Sequence, residues 1–196
     1  MSAEKITQSK VIHFGSATAL LEGDLRDTYF DLLETANAKG IFISFDPNFR
    51  SDLWKGNESE FTKFAKSAIS KSNFVKVSEE ELYILTKEDD SSKGIEKIHQ
   101  LGADIVAVTK GKEGAIISNG EKLTLVPSPQ IEAIDTTGAG DAFVGAVLYH
   151  FANASQIKRI SQDFEYLTQT VKKANAIAAQ VCSELGSLSA LPYLKI

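Results

Sequence analysis

The sequence contains few cysteine, methionine, tryptophan, histidine and proline residues. Its 196 residues include one Cys, one Met, one Trp, three His and four Pro. A single cysteine, Cys182, excludes an internal disulfide, and the apolar helical pattern around it predicts a buried thiol in a cytoplasmic protein. Because His13, His99 and His150 are far apart from one another and from any cysteine, a zinc cluster is not expected. With 43% hydrophobic residues and no low-complexity tract, the composition predicts a folded domain.

The chain also lacks a basic stripe and a long apolar run. Its 21 Lys and Arg are scattered among 26 Asp and Glu, giving a net charge of -5, so we expect no nucleic-acid partner. No apolar stretch reaches the roughly 20 residues that cross a bilayer, and residues 1–10 contain no apolar segment of signal-peptide length. We therefore expect no membrane partner.

Short apolar runs alternate with stretches of helical periodicity along the whole chain. Strands are predicted at 10–14, 41–45, 74–77 and 104–109, a hairpin at 114–118 and 122–126, and helices at 25–38, 58–70, 94–101, 140–151, 164–170 and 171–183. A further helix begins at Ser78, with Glu81 in the position of a capping box. This alternation predicts an open, doubly wound, mostly parallel α/β sheet flanked by helices, with ligands outside the carboxyl ends of its strands.

Residues 134–143, I-D-T-T-G-A-G-D-A-F, form a polar turn that leads directly into an apolar helix. Gly138 and Gly140 let the backbone approach an incoming group, and the amides that open a helix favour an anion such as a phosphoryl group. Asp141 in the first turn can accept a hydroxyl proton. The alternative is a tight connection in which Asp141 only stabilises the helix. A P-loop sequence is absent, and Phe143 replaces the third glycine of a dinucleotide motif.

The segment D-T-T-G-A-G-D-A-F resembles the signature of the ribokinase-like, PfkB-type carbohydrate kinases. The resemblance implies ATP-dependent phosphorylation of a sugar hydroxyl, with Asp141 as the general base. It also implies an anion hole formed by the amides of Thr137, Gly138, Ala139 and Gly140. Asp135 and Thr137 are similar to positions that in many members help to form a monovalent-cation site, which would take potassium.

Two other segments fit a nucleotide site in this resemblance. T-K-G-K-E-G at residues 109–114 is similar to the T-x-G-x-x-G turn of the family, which places Thr109, Gly111 and Gly114 against nucleotide phosphates. The alternative is a plain entry into a hairpin. Asn175 resembles the asparagine near the adenine ring, although an Asn on an alanine-rich helix is more often solvated or capping.

The loops after two earlier strands also match family motifs. Glu81 corresponds to the glutamate of the N-x-x-E motif, which helps to organise magnesium through water, but Ser78 replaces the asparagine and a capping box explains both residues. D-P-N-F-R at 46–50, followed by L-W at 53–54, resembles the fructokinase and 2-keto-3-deoxygluconate kinase branches. This likeness assigns Asp46, Asn48 and Arg50 to phosphate or sugar; the alternative is a turn whose Arg pairs with a local acid.

The resemblance runs from residues 11–16 to 186–192 and includes only the later part of the family pattern. The leading strands, the Gly-Gly sugar segment, the acidic residue that grips the sugar, and the β lid have no counterpart. We therefore expect residues 1–196 to be the C-terminal nucleotide-binding and catalytic portion of a fructokinase-like kinase. An exposed sheet edge predicts self-association or binding of a companion N-terminal fragment. The alternatives are a kinase for 2-keto-3-deoxygluconate, a nucleoside or another small alcohol, and a non-catalytic nucleotide-binding module.

Overall fold

The computed structural model describes Ile6 and residues 8–190. The strands are β1 (Val11–Gly15), β2 (Phe42–Asp46), β3 (Phe74–Ser78), β4 (Ile105–Thr109), β5 (Ala115–Ser118) and β6 (Leu123–Val126). The helices are α1 (Asp24–Ala38), α2 (Ser51–Trp54), α3 (Glu58–Ile69), α4 (Glu79–Thr86), α5 (Ser91–Gln100), α6 (Ala139–Asn153) and α7 (Phe164–Cys182). Two 3-10 turns lie at Gly111–Glu113 and Ile157–Gln162.

The six strands form one sheet in the order β1-β2-β3-β4-β5-β6. β1 and β2 run parallel with Val11 opposite Phe42, and β2 and β3 run parallel with Ser44 opposite Phe74. β5 and β6 form the antiparallel hairpin, with Ser118 opposite Leu123. The prediction of a mostly parallel α/β sheet flanked by helices is confirmed. Within the part of the chain described here, the strand order follows the chain order without a reversal.

Contacts divide the chain into two compact units, with the division between Val108 and Thr109. In the first unit, every residue of β2 is buried, as expected for a strand with apolar cover on both faces. Helix α1 packs against β2, and α4 packs against β3 and α5. The second unit has α6 and α7 packed side by side, and α7 also contacts β5 and β6.

Two expectations about α7 are wrong. The segments predicted as separate helices at 164–170 and 171–183 form one continuous helix, Phe164–Cys182. The β-branched pair Thr170 and Val171 weakens the helical signal locally, but both side chains are buried, and packing outweighs that small propensity cost. Cys182 is half-buried at the end of α7, because this last residue of the helix borders a pocket instead of the core.

Several local predictions are confirmed. The capping box at the start of α4 forms as expected between Ser78 and Glu81. Trp54 is buried, as expected for a packing residue. Among the residues described, no helix combines the length and apolar character needed to cross a bilayer.

Candidate functional site

A pocket of about 310 Å³ lies in the second unit. Three segments that the sequence analysis selected separately meet at its walls. They contribute Thr109, Gly111 and Gly114 after β4; Thr136, Ala139, Gly140 and Phe143 at the start of α6; and Asn175, Ala178, Ala179 and Cys182 on α7. The remaining lining comes from Lys112, residues 128–131 and Ala133. Small and apolar side chains dominate this lining, as is usual for a pocket that takes a small organic ligand.

Residues 109–114, here called the glycine turn, lie directly against the chain that follows β6. Gly114 has φ 111°, and a Cβ placed on it would lie 2.1 Å from the Val126 oxygen and 2.6 Å from the Ser128 nitrogen. Gly111 has φ 54°, but a Cβ there would meet nothing within 4 Å. Close backbone contact therefore requires a glycine at position 114, whereas at position 111 only the positive φ favours glycine.

Asn175 holds the same wall of the pocket from the side of α7. It is buried, and its Nδ2 donates to the Val126 oxygen at 2.8 Å and to the Pro127 oxygen at 3.4 Å. A solvated or capping role is therefore wrong for this residue. Its side chain fixes the backbone that faces the glycine turn, and it also lines the pocket.

Residues 135–141, here called the anion loop, enter α6 through a left-handed residue. Gly138 is the N-cap of α6 with φ 82°, and a Cβ on it would lie 2.5 Å from the Ser187 Cβ. The amides of Gly140 and Asp141 fall in the first turn, where a helix offers no internal acceptor. Asp141 is exposed in the same turn. The loop thus presents amides of the first helical turn and one accessible carboxylate. Two of the four amides expected in the anion hole are engaged within the protein, because the Thr137 amide donates to the Asp135 Oδ1 at 2.9 Å and the Ala139 amide donates to the Thr136 oxygen at 3.2 Å.

Asp135 fastens this loop to Gly186, which follows α7. One carboxylate oxygen accepts from the Thr137 amide at 2.9 Å and the other from the Gly186 amide at 3.0 Å. Hydrogen bonds from Thr137, and then from the Gly186 amide, hold the pKa of Asp135 below its ordinary value. With both oxygens engaged by the protein, Asp135 acts in this structure as a support for the anion loop.

In the first unit, three buried charged residues form what we call the carboxylate frame: Asp46, Lys76 and Glu81. The Asp46 Oδ2 lies 3.1 Å from the Lys76 Nζ, and its Oδ1 accepts from the Asn48 amide at 3.0 Å. Burial raises the pKa of Asp46 to about 6, and the nearby Lys76 opposes that rise. Asp46 is therefore an internal carboxylate paired with a lysine, and its oxygens are turned to the protein.

Glu81 connects the loops that follow β2 and β3. Its Oε2 accepts from the Ser78 amide at 2.7 Å, completing the capping box, while its Oε1 accepts from the Phe49 amide at 2.8 Å. Asn48, between these bonds, has the left-handed φ of 47°. Arg50 is exposed, and its guanidinium donates to the Phe49 oxygen at 3.4 Å. No acid in the described part of the chain pairs with Arg50, so pairing with a local acid is wrong for this residue.

Lys76 is a site residue that the sequence motifs do not indicate. The available signal was a lysine inside an otherwise apolar strand, F-V-K-V at 74–77, where a charge needs a buried partner. Its partner Asp46 lies 30 positions away, which no local pattern shows. Tyr29 is a second missed group, because its buried hydroxyl has no hydrogen-bond partner among the residues described.

Among the residues described, the His, Cys, Asp and Glu side chains do not form a directly ligated metal site. Across Ile6 and residues 8–190, no group of three or more His, Cys, Asp or Glu side chains could hold a metal ion. Glu81 and Asp135 each use both carboxylate oxygens to accept from backbone amides. Their remaining lone pairs permit a contact with an ion through water.

Comparison with known proteins agrees with the motifs. The pfkB family carbohydrate kinase model matches residues 1–193. The fructokinase of Vibrio alginolyticus is 33% identical over 167 residues, which are 85% of this chain and 53% of that protein. Fructokinase-1 of Oryza sativa subsp. japonica is 34% identical over 193 residues, covering 98% of this chain and 58% of that protein. The chain thus spans just over half the length of these relatives.

Solved structures show the same fold. A double mutant of the Vibrio cholerae O395 fructokinase, with fructose, ADP and potassium bound, superposes with a TM-score of 0.84 at 31% identity, covering 93% of this chain and 57% of that one. The aminoimidazole riboside kinase of Salmonella enterica, with its riboside and an ATP analog, gives a TM-score of 0.83 at 29% identity, covering 94% and 60%. With the glycine turn, the anion loop and a family match along nearly its whole length, the chain belongs to the pfkB family of carbohydrate kinases.

Proposed function

We propose that residues 1–196 are the nucleotide-binding and catalytic portion of an ATP-dependent sugar kinase of the fructokinase type. The observation that supports this most strongly is the convergence of the glycine turn, the anion loop and Asn175 on one pocket. The fructokinase relatives and the fructokinase structure with bound fructose and ADP favour fructose as the acceptor.

In this proposal the second unit holds the nucleotide. The pocket volume of about 310 Å³ suits the base and sugar of a nucleoside, whose flat apolar faces fit beside Ala178 and Ala179. Thr109, Gly111 and Gly114 approach the phosphates, and Thr137 faces them from the anion loop. Asn175 keeps the opposing wall in place through Val126.

Phosphoryl transfer is assigned to the anion loop. Asp141 accepts the proton of a sugar hydroxyl as that oxygen forms a bond to the γ-phosphorus and the bond to the ADP oxygen breaks. The amides of Gly138 and Gly140 stabilise the negative charge that develops on the transferring group, and the Ala139 amide joins them when it leaves the Thr136 oxygen. Their preorganisation is supported by Asp135, which ties the loop to Gly186.

The remaining assignments concern the first unit and the ions. Asn48 and Arg50 supply polar contacts to phosphate or sugar, and Asp46 supports them from inside the carboxylate frame. A bound magnesium ion would neutralise nucleotide phosphate charge, with Glu81 contacting it through water, and potassium would lie near Asp135. A cytoplasmic location belongs to the same proposal, since a single cysteine suits a reducing compartment.

We also propose self-association or binding of a companion N-terminal fragment. Among the described strands, β1 stands at one end of the sheet order and pairs with β2, so its other edge is where an added strand would pair. Sedimentation at high concentration tests this idea. A single monomeric species, with no binding of the matching segment of a fructokinase relative, would contradict it.

Nucleotide titration followed by a phosphorylation assay tests the function. We expect a non-hydrolysable ATP analog to bind to the chain by calorimetry. With the leading segment of a fructokinase relative joined to it, the chain should phosphorylate fructose with ATP. Asp141→Asn should retain analog binding but lose at least about a hundredfold in turnover. Absence of analog binding would defeat the kinase proposal, while binding without phosphorylation of any acceptor would favour a non-catalytic module.

A nucleoside kinase is the second candidate function. The likeness to aminoimidazole riboside kinase, at 29% identity and a TM-score of 0.83, is nearly as high as that to fructokinase. A panel containing fructose, aminoimidazole riboside and 2-keto-3-deoxygluconate separates these acceptors. The acceptor with the highest kcat/KM identifies the branch.

A further inference from the structure

Lys76 is a buried cation in the middle of a strand. Its neighbours in β3 are apolar and buried, and only 8% of Lys76 is exposed. A buried ammonium requires a compensating charge, which Asp46 supplies at 3.1 Å. This burial distinguishes the pair from surface ion pairs, which contribute little because water screens them.

The pair reaches the polar loop at residues 46–50 through the second oxygen of Asp46. That oxygen accepts from the amide of Asn48, whose left-handed backbone is unusual for a residue other than glycine. Without the Lys76 charge, Asp46 would be a buried, uncompensated carboxylate. It would then either take up a proton or move toward water, and both responses weaken its bond to Asn48.

Glu81 holds the same loop one residue further on. Because its Oε1 accepts from the Phe49 amide, consecutive amides of the loop are bound by two different carboxylates. The negative charge of Glu81 also acts on Asp46 and disfavours its ionised form, so the Asp46 carboxylate relies on the Lys76 cation for compensation. Tyr29, the other titratable group acting near Asp46, adds no positive charge.

We propose that Lys76 is a positioning residue: its ion pair with Asp46 holds the 46–50 loop and the Glu81 carboxylate in one arrangement. The purpose of that arrangement, presenting Asn48 and Arg50 to substrate, rests on the proposed kinase function. Lys76 itself touches no substrate in this assignment. Lys76 acts on the Asn48 amide through Asp46, and the bond from the Phe49 amide to Glu81 fixes the next residue of the loop.

Amide hydrogen exchange in the full chain, compared among matched variants, tests this proposal. In Lys76→Met, exchange at the amides of Asn48 and Phe49 should accelerate by about tenfold or more. The Ile43 amide, which Asn73 holds at 2.9 Å, should change much less. Lys71→Met is the matched control, since it removes a lysine paired with exposed Glu34 at 3.0 Å, and it should leave all three amides unchanged.

Two further variants show whether the charge is the cause. Lys76→Arg keeps the cation and should restore slow exchange at Asn48 and Phe49. The double variant Asp46→Asn with Lys76→Met removes both charges together and should also return exchange close to that of the natural chain. Where Lys76→Met prevents folding, Lys76→Gln provides the same comparison.

Three results would overturn the proposal: unchanged exchange at Asn48 and Phe49, an equal acceleration at Ile43, or failure of Lys76→Arg to restore protection. Turnover provides a separate arm, in which Lys76→Met should lower kcat for sugar phosphorylation by about tenfold and Lys76→Arg should recover it. Failure of the chain to phosphorylate any acceptor when joined to the leading segment of a fructokinase relative would refute the proposed function, while the exchange results would still decide the role of Lys76.

Discussion

Replacing Gly114 with alanine tests the geometry of the nucleotide pocket most directly. The new Cβ would lie 2.1 Å from the Val126 oxygen and 2.6 Å from the Ser128 nitrogen, so one of two backbone segments has to move. The residue also has φ 111° and ψ -135°, a region that only glycine adopts readily. A shift at Val126 would in turn break the bond from Asn175 and leave a buried amide without a partner.

These effects give the size of the expected change. Backbone strain in such a region and an unsatisfied buried amide together cost on the order of 3 to 5 kcal/mol in the free energy of unfolding. Gly111→Ala is the matched control, because φ 54° is strained for alanine while the space around it is open. That control should cost only about 1 to 2 kcal/mol.

Urea unfolding and calorimetric titration with an ATP analog measure both consequences. Gly114→Ala should lose at least about 1 kcal/mol more than Gly111→Ala and should bind the analog much more weakly, because the pocket wall moves. Equal losses of stability in the two variants would refute the argument from close backbone contact. Unimpaired analog binding by Gly114→Ala would show that this wall does not hold the nucleotide.

Three other predictions concern groups whose surroundings are unusual. Tyr29→Phe removes a buried hydroxyl that has no hydrogen-bond partner among the residues described. The free energy of unfolding, measured with urea, should therefore stay the same or rise by about 1 kcal/mol. A clear decrease in the free energy of unfolding would reveal a partner for the hydroxyl. Burial raises the pKa of Asp46 from 3.8 to about 6, so the folded chain binds a proton more tightly than the unfolded chain. The free energy of unfolding should therefore fall by about 3 kcal/mol, relative to that of Asp46→Asn, as the pH rises from below 3.8 to above about 6. Urea unfolding of both chains across this pH range measures the difference, and a difference that does not change with pH would contradict the prediction. Gly138→Ala should destabilise the chain and reduce turnover, because its Cβ would lie 2.5 Å from the Ser187 Cβ. Gly145→Ala, in the open middle of α6, should instead raise the free energy of unfolding by up to about 1 kcal/mol, as measured by thermal unfolding. Similar losses of stability in both variants would argue against the contact with Ser187.

Much of the fold could be predicted because its signals are local. Buried parallel strands appear in the sequence as continuous apolar runs, and the capping box needs only Ser78 and Glu81 at the right spacing. The exception was α7, whose interior pair Thr170 and Val171 suggests a break when only local propensity is considered. Burial of both side chains keeps the helix continuous.

The residues of the candidate site were predicted more completely than their roles. The sequence indicated Asp135 and Asn175 as members of ion and nucleotide sites. The structure adds that Asp135 ties the anion loop to Gly186 and that Asn175 holds the chain after β6. Cys182 was expected to be buried in the core, but it is half-buried and lines the pocket. An apolar helical pattern does not show which residue at the end of a helix faces a pocket.

The sequence by itself determined the alternation of strands and helices, the anion loop at a helix N-terminus, and the resemblance to PfkB-type kinases. These depend on residues that lie close together along the chain. Only the tertiary structure decided that Lys76 neutralises Asp46, 30 positions away, and that Gly114 must lack a side chain because Val126 passes beside it. Burial and close packing join residues that are distant in sequence, so their consequences for charge and for space cannot be read from local patterns.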